Sequence, residues 1–494
     1  MTRSESDQAV RAPTAPGKAR FLVNGRRHET AGAWSRTILD YLRLEARLVG
    51  TKEGCGEGDC GACAVAVCDL DEGGQLRVRA VNSCLAFVPS LDGKYLLTVE
   101  GLAGAGGELH PVQERMVALH ASQCGYCTPG FVMALAAFAE TDEAPDDATI
   151  HDALAGNLCR CTGYRPIVAA ARESKQAGHA WWAAKAPELT TALRALEAPR
   201  PAEPSVAADY FAPRSIAELC ALLDRRPDAR IVAGATDLGL AVTKHGLRPA
   251  AAISIADIAE LRRIEALANG VRVGAAATLA ELLPVLDPIY PGLGTLLRRF
   301  GSRQIRNLAT IGGNLCTASP IGDLAPALLA LDATLRLRSS RGAREIAIDG
   351  FFTGYRRTAL AAGEFLEAVT IPHLASSDLF RIYKLSKRYD QDISTVCAGI
   401  RLRIEAGTIA KARVAMGGMA EIPKRARACE RAMEGRAFAA ATFEQTLPHL
   451  AEDFAPISDF RGGAVYRRAA AANLLRRFWL DAGASGVATD VMAL

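Results

Sequence analysis

The sequence predicts a multidomain protein of mixed α+β class, and three observations carry that prediction. Its 494 residues are enough for about three domains, each with its own core. Nine of its 13 cysteines fall between Cys55 and Cys161, so one end of the chain differs in kind from the rest. Beyond residue 208, short apolar runs, glycine turns and helical patterns alternate, then give way to β-rich runs and closing helices.

The bulk numbers narrow the class further. Half the residues are hydrophobic, which excludes general disorder, and a net charge of +4 is too small to argue for nucleic acid. No apolar run is long enough for a membrane span. Residues 1–20 are polar and carry acidic residues and prolines, so they read as a tail ahead of a strand at Phe21 and not as a secretory leader. A cytoplasmic location follows as the expectation. In a reducing compartment, clustered cysteines signal metal or redox chemistry more than disulfides.

The first block begins with "FLVNGRRHE", expected as strand, and "TILDYLRLEARL", expected as helix. Cys55, Cys60 and Cys63 follow in C-x4-C-x2-C spacing, with Cys84 alone on a later segment. This is the plant-type spacing for a 2Fe–2S cluster. Three ligands on one loop must wrap a compact negative core, and glycines at 54, 56, 58 and 61 let the backbone bring N–H groups to the sulfurs. A zinc site is the alternative, although zinc more often takes two C-x2-C pairs. Cys68 sits on an apolar alternation and reads as a buried strand residue.

A second set holds Cys124 and Cys127 in C-x2-C spacing, and Cys159 and Cys161 in C-x-C spacing. Both pairs precede helical patterns, with Pro129 and Pro166 near the first turns, and the positive end of a helix suits a negative cluster. Alone, either pair could be half a zinc site or a thiol redox pair. With the first set present, a second 2Fe–2S core in a helical domain is the natural reading, and two clusters in one chain imply electron relay.

From Glu173 to Ser205 the Pro/Ala/Glu composition, ending in "EAPRPAEPS", reads as an exposed linker with a short helix near "ELTTALRAL". Beyond it no G-x-G-x-x-G follows a strand, so a Rossmann site is unsupported. Two separate glycine turns, at 231–239 and 310–314, could present N–H groups to a pyrophosphate. As turns alone they are ordinary.

Taken together, "EGCGEGDCGACAV", "NSCL", "QCGYCTPG", "GNLCRCTGYRPI", "IVAGATDLG", "ATIGGNLCTASPIGDLAPAL" and "FFTGYRRT" make the chain resemble the small, iron–sulfur and FAD subunit of bacterial xanthine dehydrogenases in the molybdenum hydroxylase family. The resemblance covers about 20 to 480. It implies a β-grasp ferredoxin-like 2Fe–2S domain at 20–103, a helical 2Fe–2S domain at 104–172, a linker at 173–207, an α+β FAD-binding domain at 208–373 and a C-terminal flavoprotein domain at 378–485.

It also implies ligands. Cys55, Cys60, Cys63 and Cys84 would hold one cluster, and Cys124, Cys127, Cys159 and Cys161 the other. Ile231, Val232, Ala233, Gly234, Ala235, Thr236, Asp237 and Leu238 match the first FAD loop, and Thr310, Gly312, Gly313 and Asn314 the second. Asp323 matches an acidic residue on the flavin's sugar portion, Phe300 an aromatic beside the ring, and Lys384 a lysine near the cofactor. From the residues alone, Phe300 reads equally as helix core and Lys384 as a solvated charge. Gln123 matches a glutamine that touches the pterin of the molybdenum cofactor on the neighbouring subunit, and reads otherwise as a helix-end polar residue. One departure stands out: where many members carry an acidic pair, this chain has Asp390, Gln391 and Asp392.

The expected role is electron transfer from a large molybdenum subunit through both clusters to FAD and on to NAD, with hypoxanthine and xanthine oxidised to urate on the partner. Oxygen is a further possible acceptor, and no catalytic residue is assigned in this chain. The alternative within the family is an aldehyde or other N-heterocycle hydroxylase. A stand-alone electron-transfer protein is the alternative outside it. Cys220, Cys316, Cys397 and Cys429 are expected as buried or incidental thiols, and the arginines at 298, 299, 303 and 306 as a solvated helix face.

Overall fold

The computed structural model describes residues 18–71, 73–104, 106–196, 205–207 and 209–483, with Val487 and Thr489. The first unit is a five-stranded mixed sheet in the spatial order Arg26–Thr30, Ala19–Val23, Tyr95–Leu97, Ala64–Leu70, Leu76–Asn82. Ala19–Val23 pairs parallel to Tyr95–Leu97 and the other neighbours are antiparallel. Alternation puts Phe21, Val23, Val65, Val67 and Leu96 on one face, where Trp34, Ile38, Tyr41 and Leu42 cover them. The helical turn starts at Ile38, capped by Thr37, whose Oγ1 accepts from the Asp40 N–H at 3.0 Å. The opposite sheet face, through Ala64, Ala66, Cys68 and Val78, packs on the helical unit. Cys68 is fully buried there, as its alternation predicted.

That second unit is built from Pro111–Ala118, Thr128–Glu140, Asp147–Leu154 and Arg165–Leu196. The last runs straight through the stretch expected as an exposed linker from Glu173. Its buried Ser174, Lys175, Gly178, Trp182, Leu189 and Leu193 recur at helical spacing. Trp182 donates to the Ala136 carbonyl at 2.7 Å, and Lys175 donates to the Phe138 carbonyl at 2.9 Å, placing a cation at a helix C-terminus. Pro187, carried inside the helix, and the many alanines hid this periodicity in the sequence. The "EAPRPAEPS" stretch up to 204, and residues 1–17, lie outside the described residues.

Beyond 205 come a small sheet ordered Ser205–Ala207, Tyr210–Phe211, Ala252–Ser254, Arg230–Val232, and a five-stranded antiparallel sheet ordered Ile264–Leu267, Gly270–Gly274, Phe365–Pro372, Thr334–Ser339, Gly342–Ala347. Helices including Pro291–Arg298 and Leu324–Ala330 complete its core. The final unit is the antiparallel sheet Asp378–Leu385, Val396–Glu405, Thr408–Gly417, Lys424–Arg425, covered by Arg427–Met433 and Ala464–Ala482. Among the described residues no helix is long and apolar enough to cross a membrane.

One short segment, 303–307, reaches two other units. Arg303 and Arg306, expected on a solvated face, turn inward. Arg303 makes a two-pronged pair with Glu143 at 2.9 and 2.8 Å and reaches Asp152 at 2.7 Å. Arg306, only 2% exposed, pairs with the same Asp152. Gln304 donates to Asn157 Oδ1 at 2.8 Å, and Asn307 to the Ala80 carbonyl at 2.8 Å. Arg298 alone fits the solvated reading, half exposed beside Asp287. Arg299 lies 4.4 Å over the Tyr389 ring and donates to the Lys384 carbonyl at 2.8 Å.

Burial works against the Asp152 carboxylate, but Arg306 and Arg303 outweigh it and hold the carboxyl below its usual range. Replacing Asp152 by Asn therefore strands Arg306 in the interface and is expected to cost about 3 kcal/mol, seen as a lower calorimetric melting temperature. The stabilisation from a depressed carboxyl is present above its unfolded value near pH ~4 and fades as pH falls through the folded one. The wild-type protein should accordingly lose stability on acidification below pH ~4 more steeply than the Asp152→Asn variant.

Candidate cluster and flavin sites

The cysteines of the first set are gathered as two pairs. Cys63 and Cys84, each 2% exposed, bring their sulfurs to 3.3 Å, and Cys55 and Cys60 share a hydrogen bond between side chains. The loop aims backbone N–H groups at them: Glu57, Asp59 and Cys60 donate to Cys55 Sγ at 3.4, 3.3 and 3.3 Å, and Cys55 to Cys60 Sγ at 3.2 Å. The hydrogen bond from Cys60 pulls the Cys55 thiol down to about 5 and pushes Cys60 up. Gly61 makes this loop possible. Its φ is +68°, and a Cβ there would sit 2.3 Å from the Gly156 carbonyl oxygen of the helical unit.

The second set is paired likewise, Cys127 with Cys159 and Cys124 with Cys161. Thr162 donates its N–H to Cys159 Sγ at 3.4 Å and holds that thiol below its ordinary value against burial, while burial pushes Cys127 up to about 12. Cys127 precedes the helix Thr128–Glu140 without a side-chain cap bond, and Arg165–Leu196 begins just past Cys161. Among the described residues no three ligating side chains converge on one point. Two sulfurs to each side is the donor set of a two-iron core, whereas a zinc site draws four sulfurs to one centre. The residues fit two 2Fe–2S clusters.

The two sets differ in exposure. Cys124 and Cys161 are exposed, as is Gln123, so the second cysteine set opens on the surface. Cys63 and Cys84 lie inside. A backbone hydrogen bond joins the two, from the Leu158 N–H to the Cys60 carbonyl at 3.0 Å. On the far side of the first set, the helix Thr236–His245 lies against it. A Cβ on Gly239 would come within 2.4 Å of the Leu85 carbonyl oxygen, Thr243 donates to the Gly56 carbonyl at 3.1 Å, and Lys244 donates to that of Cys55.

The flavin residues fall into two groups. Val232 ends the strand Arg230–Val232, buried, while Ile231 is part exposed. The chain then turns through Ala233, Gly234 and Ala235, the last at φ +61°, into Thr236, Asp237 and Leu238. Gly234 rests on the Leu308 carbonyl so closely that a Cβ would lie 1.6 Å away. No side chain caps this helix. Thr310 caps Ile311–Cys316, accepting from the Gly313 N–H at 3.0 Å, and Gly312 donates to the Ala275 carbonyl at 2.9 Å. Thr317 donates to Asp237 Oδ2 at 3.3 Å, which ties the two turns together. Asn314 Oδ1 is buried without a partner. An orphaned acceptor between two glycine turns is what a missing hydrogen-bonding ligand leaves behind.

In the other group, Lys384 is 3% exposed at its side chain and donates to Asp323 Oδ2 at 2.7 Å and to the Arg299 carbonyl at 3.0 Å. It is no solvated surface charge. Ser394 donates to Asp323 Oδ1 at 2.5 Å. Phe300, next to Arg299, is half-buried against the largest core. Cys220, Cys397 and Cys429 are buried, but Cys316 is exposed at the end of its helix. A cavity of about 90 Å³ touches 232–235 and Thr310 from the side of Asp69 and Arg79, and it reaches none of Phe300, Asp323 or Lys384.

Sequence reasoning missed Asn157, Leu158, Thr243, Lys244 and Gln304, which join the units. Asn157 and Leu158 sit inside the "GNLCRCTGYRPI" run without a role read from it, Thr243 and Lys244 lie in no motif, and Gln304 stands within the arginine cluster.

These sites and this fold define a two-cluster iron–sulfur flavoprotein. Comparison with known proteins agrees unit by unit. The 2Fe-2S iron-sulfur cluster binding domain matches 21–89, the [2Fe-2S] binding domain 98–172, the FAD binding domain in molybdopterin dehydrogenase 205–374, and the CO dehydrogenase flavoprotein C-terminal domain 381–482. The chain belongs to the molybdenum hydroxylase family, as an electron-transfer module bearing its 2Fe–2S and FAD domains. It is 33% identical to the xanthine dehydrogenase of Emericella nidulans, over 90% of this chain and 37% of that one. It is 32% identical to xanthine dehydrogenase 1 of Arabidopsis thaliana, over 94% and 39%. The chain thus spans about two fifths of the length of these curated relatives. Among solved structures, a Cu,Mo-CO dehydrogenase chain superposes with a TM-score of 0.52 at 30% identity, over 55% of this chain and 95% of that one. Quinoline 2-oxidoreductase from Pseudomonas putida 86 gives 0.52 at 28%, over 56% and 96%.

Two expectations follow. Cys84→Ser and Cys159→Ser should each abolish one of two EPR signals in the dithionite-reduced protein and leave the other, with about half the iron lost. Lys384→Met leaves Asp323 buried without its cation and should cost about 3 kcal/mol in chemical denaturation, with weaker FAD retention on gel filtration.

Proposed function

We propose that this chain is the iron–sulfur and FAD subunit of a xanthine dehydrogenase. It would take electrons from a molybdenum centre on a partner subunit and deliver them to NAD while hypoxanthine and xanthine are oxidised to urate. When bound, the clusters supply one-electron relay and the FAD the change to hydride transfer. The chain's own part is to hold, space and insulate them. We assign Cys124, Cys127, Cys159 and Cys161 to the cluster that receives from the partner, and Cys55, Cys60, Cys63 and Cys84 to the next. The two turns at 231–238 and 310–314, with Phe300, Asp323 and Lys384, would hold the FAD.

The observation that carries this reading is the gradient of exposure. Cys124, Cys161 and Gln123 open outward, with Tyr126, Leu158 and Tyr164 exposed around them. An apolar rim beside an open cofactor site fits a docking face for a partner that carries the molybdenum cofactor. Cys63 and Cys84 lie behind it, wired to it through the Leu158–Cys60 hydrogen bond and flanked by Gly239, Thr243 and Lys244 of the flavin unit. Directionality from surface to flavin follows from that order. The thiol chemistry also favours a reducing, cytoplasmic setting.

A second reading keeps the relay and changes the partner's substrate to an aldehyde or another N-heterocycle. The likeness to quinoline 2-oxidoreductase favours it.

The complex, purified with its partner, is expected to hold two 2Fe–2S clusters and one FAD per chain and to reduce NAD with xanthine or hypoxanthine. Turnover of aldehydes or quinoline but not of purines would establish the second reading. Zinc in place of iron would reject both.

A further inference from the structure

The loop with Asp390, Gln391 and Asp392, where the resemblance leads one to expect an acidic pair, reaches the loop that carries Cys55, Cys60 and Cys63. Its two ends are pinned to one carboxylate: Lys384 donates to Asp323 Oδ2 at 2.7 Å and Ser394 to Asp323 Oδ1 at 2.5 Å. Between them the chain folds on itself. The Arg388 N–H donates to Asp392 Oδ2 at 2.8 Å, and the Arg388 guanidinium to the Gln391 carbonyl at 3.2 Å. Gln391 takes φ +47°, a region that L-residues with long side chains avoid. The turn drives its side chain inward, where the residue is 8% exposed.

There the amide Nε2 donates to the Gly58 carbonyl at 3.2 Å, across a sequence separation of 333 residues. Asn82 Nδ2 donates to the same oxygen at 2.7 Å. The next atom group along the chain is the Asp59 N–H, which donates to Cys55 Sγ at 3.3 Å. The Gly58–Asp59 peptide is planar, with its C=O and N–H pointing in opposite directions. Donors on its oxygen therefore face Gln391 and Asn82 while its N–H faces a cluster ligand. Hydrogen bonds to a carbonyl polarise the peptide and strengthen its N–H as a donor.

We propose that Gln391 is a positioning residue for the plant-type 2Fe–2S cluster: through the Gly58–Asp59 peptide it strengthens the hydrogen bond to Cys55 Sγ and raises the cluster's reduction potential. The sign follows from charge. Reduction adds an electron to a thiolate-bound core, and a stronger N–H donor at the sulfur favours that more negative state. The same contact couples the flavin site to the cluster, because a loop anchored on Asp323 carries the amide. The inference depends on the cluster held by Cys55, Cys60, Cys63 and Cys84, and it stands whichever substrate the partner takes.

The test is a redox titration, followed by EPR, of the full chain with its clusters and FAD. Gln391→Met keeps the volume and removes the donor. Gln391→Asn keeps a buried amide that is one methylene too short, and it serves should the first variant fail to fold. At the potential where half of the parent's plant-type cluster is reduced, the reduced-to-oxidised ratio is expected to fall by up to about twofold in either variant, the share of one net hydrogen bond that polarisation through the peptide carries. The helical cluster should titrate as in the parent. A plant-type cluster that titrates unchanged in an iron-replete variant would overturn the proposal. So would equal shifts in both clusters, which mark a general loosening. A parent protein with no plant-type signal would instead sink the cluster assignment itself, so the two failures are distinguishable.

Discussion

Contact between backbones is the constraint on which this molecule rests. Here the segments that carry the two cysteine sets, and the flavin-unit helix Thr236–His245, approach one another at the level of the backbone. The Leu158 N–H bonds directly to the carbonyl of Cys60, in the first cysteine set. Gly61 lies where a Cβ would strike the Gly156 carbonyl, and Gly239 where one would strike that of Leu85. Each of these glycines serves an approach between two units, beyond any need of its own turn. The conformational entropy lost on ordering glycine is offset by the proximity gained.

Such close approach requires the units to be held in one geometry, and polar side chains do that. The segment 303–307 reaches the helical unit through Asp152, Glu143 and Asn157, and the ferredoxin-like sheet through Ala80. Arg303 and Arg306 are desolvated there, which is costly unless each finds a well-shaped anion, and Asp152 serves both. An apolar joint would tolerate sliding. A bidentate guanidinium–carboxylate pair has one good geometry, so it fixes register as well as contact.

The flavin half shows the same economy of parts. Asp323 anchors Lys384 from one end of a loop and Ser394 from the other, and both its oxygens are engaged. Asn314 Oδ1, by contrast, is left without a partner beside the turn that begins at Thr310. The engaged groups set the frame around it. Cys316 is exposed on the same short helix, while the other cysteines outside the cluster sets are buried.

Much of the protein was legible in its sequence because the determinants are local. Cys55, Cys60 and Cys63 share one loop, and the spacing of ligands to a small inorganic core is set by that core's own dimensions. Strand alternation placed Cys68 correctly for a similar reason: which face a residue takes depends on its immediate neighbours. The helix through Lys175 and Trp182 was not legible, since Pro187 and many alanines blur its periodicity, and only packing on Thr128–Glu140 shows which face is buried. Nor could the sequence distinguish Lys384 from a surface charge, or Arg306 from a solvated one. Burial of a charge is decided by a partner far along the chain, Asp323 in one case and Asp152 in the other. Sequence alone placed the eight cysteines in two local sets and ordered the units. Tertiary structure alone decided which cluster opens to the surface, which charges are buried, and that Gln391 reaches Gly58, because each of these depends on contacts between segments that the chain brings together only when it folds.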